Sequence, residues 1–250
     1  VDGIITECCF ALYPKPSNSR VLCLEFFGRS MRNAMLVIKD VVALRDTIRE
    51  EGDLVKISAL EEFGPKYVQA IKYIKKSEKY EGDPISVLIL QLDSDDEAAL
   101  QSAVDTIISI AQPYDGVDIF AARDEKEAEL FWEDRHKLSA IAKRTSGFKV
   151  NEDIVIPLEV IPDFSDFLED LNLIYLAKIY RRSLLSIKEL QGFPIEEPKV
   201  ELALERTTNI LKGKITGKDM SDQELESQVY YLFQELRDEF PKLDSKINEI

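Results

Sequence analysis

The sequence predicts an α+β fold: a ferredoxin-like split βαβ domain, with an antiparallel sheet and helices on one face, plus a helical appendage. The first observation is the order of elements, because residues 20–121 read β-α-β-β-α-β once an extra helix at Pro65 is set aside. The second is the change after Pro162, where only the helical period remains. We therefore expect a sheet domain over residues 1–162 and a helical appendage or insertion over residues 163–250.

The first predicted strands cover residues 4–13 and 20–27, two apolar runs joined by the turn-forming segment PKPSNS. Ser30 is the predicted N-cap of a helix whose apolar residues recur at helical spacing until Gly52. Residues 54–60 are predicted as a short strand. This half of the domain therefore supplies two strands of the split βαβ motif, its first helix and one additional strand.

The second half begins with the extra helix, which Pro65 opens and which we expect to end near the Gly-Asp-Pro turn at residues 82–84. The run ISVLILQL at residues 85–92 is apolar at almost every position, as in a central strand. Asp95 is the predicted cap of a helix, and residues 117–121 return as the last strand.

Three helices are predicted in the appendage, over residues 164–190, 200–211 and 221–243, with turn-rich links between them. The last of them carries an apolar stripe at helical spacing. Its members are Leu225, Val229, Leu232, Phe233, Leu236, Phe240 and Leu243. We expect this stripe to pack against its own neighbours rather than to form a groove for a partner.

The composition excludes several classes of function. The 32 Lys and Arg residues stand against 47 Asp and Glu, and the net charge of −15 disfavours nucleic acid and anionic membranes as partners. No apolar run approaches the ~20 residues that cross a bilayer. Cys8, Cys9 and Cys23 do not form a disulfide framework, which favours a cytoplasmic location. A single histidine without a CxxC motif disfavours a zinc site.

The common catalytic and nucleotide-binding motifs do not occur in the sequence. No GxGxxG follows a predicted strand, and GKITGK at residues 213–218 lacks the spacing of a phosphate loop. With His136 as the single histidine and no GxSxG, a hydrolytic triad is not expected. The motifs therefore predict no catalytic group, no metal ligand and no cofactor contact within this chain.

One basic window stands out in this acidic chain. No acidic residue occurs between Asp134 and Glu152, while six basic residues gather there. They are Arg135, His136, Lys137, Lys143, Arg144 and Lys149. The window predicts either a site for a small anion or a helix with one solvated basic face.

Helical geometry singles out three residues of this region. In a helix over residues 129–144, Trp132, Arg135 and Ser139 lie three and four positions apart on one face. An arginine offers a planar fork that matches a carboxylate, and a hydroxyl one turn away adds a hydrogen bond. The alternatives are that Trp132 is a buried anchor and that Arg135 makes a surface ion pair.

Two motifs and the opening segment carry a family resemblance. The segments Trp132-Glu-Asp-Arg135 and Asp153-Ile-Val-Ile-Pro157 resemble the W-x-x-R and D-x-x-x-P segments of the FAD-linked oxidase C-terminal domain, and DGIITECCFALYPKP resembles the start of that domain. The family includes D-lactate dehydrogenase, D-2-hydroxyglutarate dehydrogenase and the flavin subunit of glycolate oxidase. The resemblance covers residues 2–162.

The resemblance implies an enzyme that oxidises a 2-hydroxy acid such as D-lactate and passes a hydride to FAD. It implies that Arg135 binds the substrate carboxylate, that Ser139 contributes a hydroxyl and that Lys149 contributes a second cation. The spacing from Lys149 to Asp153 departs by two residues from the family pattern, which puts the role of Lys149 in doubt.

The resemblance also implies that parts of the enzyme lie outside these 250 residues. The flavin-binding domain expected before Val1 and the later His-containing GDGN-type motif do not occur in the sequence. We therefore expect a fragment that is inactive alone, binds no FAD by itself and has the flavin domain of the same protein as a partner. The runner-up is a ferredoxin-like ligand-sensing or protein-interaction module without catalysis.

Overall fold

The computed structural model describes residues 6–12, 14–137, 154–189 and 198–240. Four strands, here called β1 to β4, form one antiparallel sheet in the order β2-β3-β1-β4. Their bounds are Asn18–Phe26, Val55–Phe63, Ser86–Ser94 and Val117–Ala121. This strand order is that of a split βαβ motif, so the predicted α+β fold with an antiparallel sheet is confirmed.

Helices α1 (Arg32–Glu51) and α3 (Glu97–Ala111) pack on one face of the sheet. Alternate residues of β1 and β3 point into this first core, since neighbouring side chains of a strand face opposite sides. The buried strand residues are Leu22, Leu24, Phe26, Leu88, Leu90 and Leu92. These two helices therefore share one face, as the sequence predicts.

Two further helices cover the opposite face, which the prediction did not include. Helices α2 (Pro65–Ile71) and α4 (Glu125–His136) pack there against Val21, Cys23 and Ile89 of the central strands. A strand that is buried on both faces is apolar at consecutive positions, and the run at residues 85–92 has this composition. The composition of the central strand therefore contained the signal for the second layer of helices.

The predicted strand at residues 4–13 is wrong over residues 6–12, which form neither strand nor helix. Residues 4, 5 and 13 lie outside the described part of the chain. Both edges of β1 are already paired, with β3 and with β4, so the segment that precedes β1 has no place beside it. Phe10 and Leu12 are 77% and 87% exposed, as expected for a segment that enters no core.

Helix α2 is shorter than the apolar spacing predicts. It ends at Ile71, because Lys72 adopts the left-handed conformation with φ of 54°. The next residue, Tyr73, is buried against the sheet rather than continuing the helix. The helix predicted over residues 129–144 lies within α4 up to His136, and residues 138–144 are outside the described part.

Beyond Pro162 the described chain is helical, as predicted. After a single 3-10 turn (Leu158–Val160) come α5 (Ile161–Lys188), α6 (Pro198–Leu211) and α7 (Asp222–Glu239). The described part of the predicted stripe of α7 packs inward on α5 and α6, with Leu225, Val229, Leu232 and Leu236 buried. Its last member, Leu243, lies outside the described residues. Among the described residues, no helix is both long enough and apolar enough to cross a membrane.

Polar contacts attach α5 to the sheet domain at the start of α1. Arg32 pairs with Asp163 at 2.9 Å and with Asp166 at 2.6 Å. The carboxylate of Glu169 accepts a hydrogen bond of 2.8 Å from the backbone N–H of Met31. These bonds fix the long helix beside the mouth of the cleft described next.

Candidate functional site

Arg135 lies in the last turn of α4, at the exposed side of that helix. Asp124 caps α4 by accepting from the backbone N–H of Glu127, and Phe131 anchors the helix in the second core. The guanidinium Nε of Arg135 lies 3.2 Å from a carboxylate oxygen of Glu61 on β2. The two side chains are 41% and 40% exposed, so this ion pair faces solvent.

Asp134 and Tyr67 hold the same turn in place. The Tyr67 hydroxyl donates 2.7 Å to the backbone carbonyl of Asp134, and Lys137 donates 2.7 Å to the Asp134 carboxylate. Burial raises the pKa of Tyr67, so its hydroxyl is a neutral donor at physiological pH. The hydrogen bond to Asp134 raises the pKa of Lys137. The turn that carries Arg135 is therefore fixed on both sides.

Trp132 packs against the second core, one turn before Arg135. Its indole N–H is buried and has no acceptor among the described residues. The sequence predicted this residue as an anchor for the helix, and its packing agrees with that interpretation. The structure does not describe Ser139, Lys149 or Asp153. Of the three predicted substrate-binding residues, it therefore describes Arg135.

A cleft of about 1280 Å³ opens between the sheet domain and the appendage. The sheet side supplies the loop after β1 and the start of α2, and the helical side supplies the first turns of α5 and α7. Its apolar lining includes Met31, Met35, Ile85, Ile156, Phe164, Leu168 and Tyr231. Tyr67 also lines the cleft, so the hydrogen bond to Asp134 links its wall to the turn of Arg135.

Carboxylates dominate the charged groups of this cleft. Burial raises the pKa of Glu62, although a 2.7 Å hydrogen bond from Ser86 opposes the shift. Burial likewise raises the pKa of Glu169. The cations that line the cleft, Arg29 and Lys66, are paired with Glu224 at 3.3 Å and with Asp222 at 3.9 Å.

This donor set does not fit the pyrophosphate of a dinucleotide. Such a group binds to free backbone N–H groups at a helix N-terminus or to unpaired cations. At α1 the N–H of Met31 is taken by Glu169, and at α7 the Ser221 hydroxyl and the Glu224 carboxylate form a capping box. The described lining of the cleft therefore suits a neutral or cationic group better than a phosphate.

A buried polar cluster that the sequence did not reveal centres on Glu25 of β1. Its fully buried carboxylate accepts 2.8 Å from the Tyr73 hydroxyl and 2.8 and 2.9 Å from the backbone N–H groups of Lys76 and Ser77. The Lys76 ammonium lies over the rings of Tyr73 and Phe131. The hydrogen bonds that Glu25 accepts all come from the loop after α2, so they hold that loop on the sheet. Among the described residues, no group of three or more His, Cys, Asp or Glu side chains is arranged to bind a metal.

Comparison with protein families matches residues 29–172 to the family described as FAD linked oxidases, C-terminal domain. The match covers more than half of the chain, so the chain belongs to this family and the predicted resemblance is confirmed at the level of the family. It includes strands β2, β3 and β4, α4 with Arg135, and the first turns of α5, whereas β1 and the opening segment precede it. A search of curated proteins found no match. The family implies an FAD-linked oxidoreductase.

Proposed function

We propose that this chain is the substrate domain of a flavin-dependent enzyme that oxidises a 2-hydroxy acid such as D-lactate. In this proposal Arg135 binds the substrate carboxylate, with Ser139 and Lys149 as additional contacts. The supporting observation is the place of Arg135, which lies within the matched range at the solvent-facing end of α4, in an ion pair with Glu61. Because this ion pair is exposed to solvent, Arg135 can release Glu61 and bind the carboxylate of a substrate instead.

The energetics favour this exchange. An exposed ion pair stabilises the fold by only ~0–1 kcal/mol. A substrate carboxylate that reaches both ends of the guanidinium makes charge-assisted hydrogen bonds of about 1.5–3 kcal/mol each. Glu61 would then occupy the guanidinium of Arg135 until a substrate carboxylate displaces it.

The chain's own residues would bind and orient the substrate. FAD, when bound by the complete enzyme, supplies the hydride acceptor. Tyr67 and Lys137 fix the last turn of α4 through Asp134, so that Arg135 presents its fork from a rigid position. Orientation of the 2-hydroxy carbon is the contribution expected from this domain.

The test is steady-state kinetics of the complete enzyme with D-lactate and related 2-hydroxy acids. We expect Arg135→Lys to lower kcat/KM by about ten- to a hundredfold, because the charge remains but the bidentate fork is lost. Arg135→Ala should lower it further. Glu61→Gln should leave kcat/KM at or above its original value, since the competing carboxylate is removed.

The matched control is Arg123→Ala. Arg123 precedes the same helix, is 84% exposed on its side chain and pairs with Glu127 at 2.9 Å. It should leave kcat/KM unchanged. Unchanged kcat/KM in Arg135→Ala would refute the proposal that Arg135 binds the substrate carboxylate. A large fall in the Tm of that variant would show that Arg135 has a structural role.

A second candidate function is ligand binding without catalysis, and the cleft supports it. The cleft is large enough for a small organic molecule, and its walls combine apolar side chains with carboxylates. Two measurements on the complete protein distinguish these functions. A binding module would not reduce an electron acceptor in the presence of any 2-hydroxy acid, but its Tm would still rise when ligand binds.

A further inference from the structure

Helix α5 is apolar on two opposite faces. Its inner face is fully buried against α6 and α7, with Leu173, Ala177, Leu184 and Ile187 at 0% exposure. Its outer face carries four large apolar residues spaced by four, here called the outer stripe. These are Phe167, Leu171, Tyr175 and Ile179, which are 55%, 43%, 65% and 49% exposed.

The exposed apolar side chains of the outer stripe are expected to pack against another molecule or domain. Residues spaced by four form one ridge along a helix, and twelve positions correspond to about 18 Å. An exposed row of large apolar side chains is typical of a surface that contacts protein or membrane. No described helix qualifies as a membrane span, and a net charge of −15 opposes an anionic lipid surface. We therefore expect the outer stripe to pack against protein rather than against lipid.

We infer that the outer stripe joins two copies of this chain, with their α5 helices antiparallel. The stripe is symmetric about a point midway between Leu171 and Tyr175. A two-fold axis at that point places Leu171 against Tyr175 of the second copy and Phe167 against Ile179 of the second copy. A contact built from the same patch on both subunits closes on itself and forms a dimer rather than a filament.

The charges at the two ends of the stripe favour the antiparallel arrangement. Exposed Lys178 lies beside Ile179 in the last turn of the stripe, and exposed Arg182 follows it. Asp163 flanks its N-terminal end, with a side chain that is 74% exposed although it pairs with Arg32. An antiparallel pair brings Arg182 beside Asp163 of the second copy, and it also opposes the helix dipoles. A parallel pair would place like charges together.

The size of the stripe sets the expected strength. One helix face of about 18 Å buries less surface than the about 800 Å² per partner of a standard interface. We therefore expect a reversible dimer whose dissociation is visible at micromolar concentrations.

The test is sedimentation velocity of the complete protein over a concentration range of roughly 1 to 200 µM, in which a weak dimer dissociates. Wild type should shift from monomer to dimer across the range. Leu171→Arg should raise the dimer Kd at least about tenfold, because both copies lose an apolar contact at once. The matched control is Leu202→Arg on α6, a leucine that is 57% exposed and outside the stripe. This variant should dimerise like wild type.

A charge exchange tests the antiparallel register. Arg182→Glu should weaken the dimer, and Arg182→Glu with Asp163→Lys should recover part of the loss, since Arg32 retains its pair with Asp166. A protein that stays monomeric at every concentration would overturn the inference and leave the stripe to another domain of the same protein. Equal effects of Leu171→Arg and Leu202→Arg would also overturn it, as would a dimer that is indifferent to Arg182→Glu.

Discussion

Arg135 and Lys137 lie two positions apart, yet their surroundings suit them to different tasks. Lys137 bonds to Asp134, whose side chain is 11% exposed, and removing Lys137 would leave that carboxylate charged in a poorly solvated place. Arg135 bonds to Glu61, whose side chain is 40% exposed, and that carboxylate is readily hydrated when the pair opens. Of these two cations, Arg135 is therefore the one whose carboxylate partner an incoming anion can displace more easily.

Burial also decides the chemistry of the cysteines. Cys23 is fully buried in the second core, within 3.5 Å of the Tyr73 hydroxyl, and burial raises the pKa of its thiol to about 11. Only about one in a thousand Cys23 thiols is then ionised at pH 8, and the thiolate is the reactive form. Cys8 and Cys9 are exposed. We predict that a thiol reagent labels Cys8 and Cys9 in the native protein and labels Cys23 only after unfolding.

The measurement is labelling with and without denaturant, followed by mass spectrometry of the three cysteine peptides. Cys23→Ala is the control and should leave the labelling of Cys8 and Cys9 unchanged. Labelling of Cys23 in the native protein at the rate of Cys8 would contradict its burial.

At the scale of elements, the order of strands and helices along the sheet domain was predictable, because local sequence patterns determine where each element forms. The central strand at residues 85–92 and the amphipathic helix that follows gave clear periods, and both are present as β3 and α3. Strand pairing is decided by partners far along the chain. The apolar segment at residues 6–12 therefore looked like a strand, although both edges of β1 are occupied.

Helix α7 allows a prediction about capping. The Ser221 hydroxyl accepts from the backbone N–H of Glu224, and the Glu224 carboxylate accepts from the N–H of Ser221. Losing such a cap costs about 0.5–2 kcal/mol. We predict that Ser221→Ala lowers the free energy of unfolding by about 1 kcal/mol, measured by urea denaturation.

Ser227→Ala is the matched control for this change. Ser227 is exposed in the middle of the same helix, where alanine is the better helix former. It should leave stability unchanged or raise it slightly. An equal loss in the two variants would show that the cap contributes nothing particular.

At the scale of the whole molecule, the cleft could not have been predicted from the sequence. Its walls come from segments near residues 28–35, 62–67, 154–172 and 217–231, which meet only when α5 docks on α1 through Arg32 and Glu169. Arg135 could be singled out as a candidate because its motif lies within one turn of one helix. The Glu25 cluster was missed for the same reason as the cleft, since its donors lie about fifty positions away.

The last prediction concerns FAD. We expect these 250 residues, expressed alone, to retain no flavin after incubation with excess FAD and desalting. The sequence has no glycine-rich dinucleotide motif, and the N–H of Met31 and the start of α7 bond to the chain's own side chains. The carboxylates of the cleft, Glu62 and Glu169 among them, would repel a pyrophosphate. Circular dichroism should show a folded, helix-rich chain, and the complete enzyme, treated in parallel, should keep its yellow colour. Flavin retained by the isolated chain at near-stoichiometric amounts would place the cofactor site within this domain and refute the division of labour proposed here.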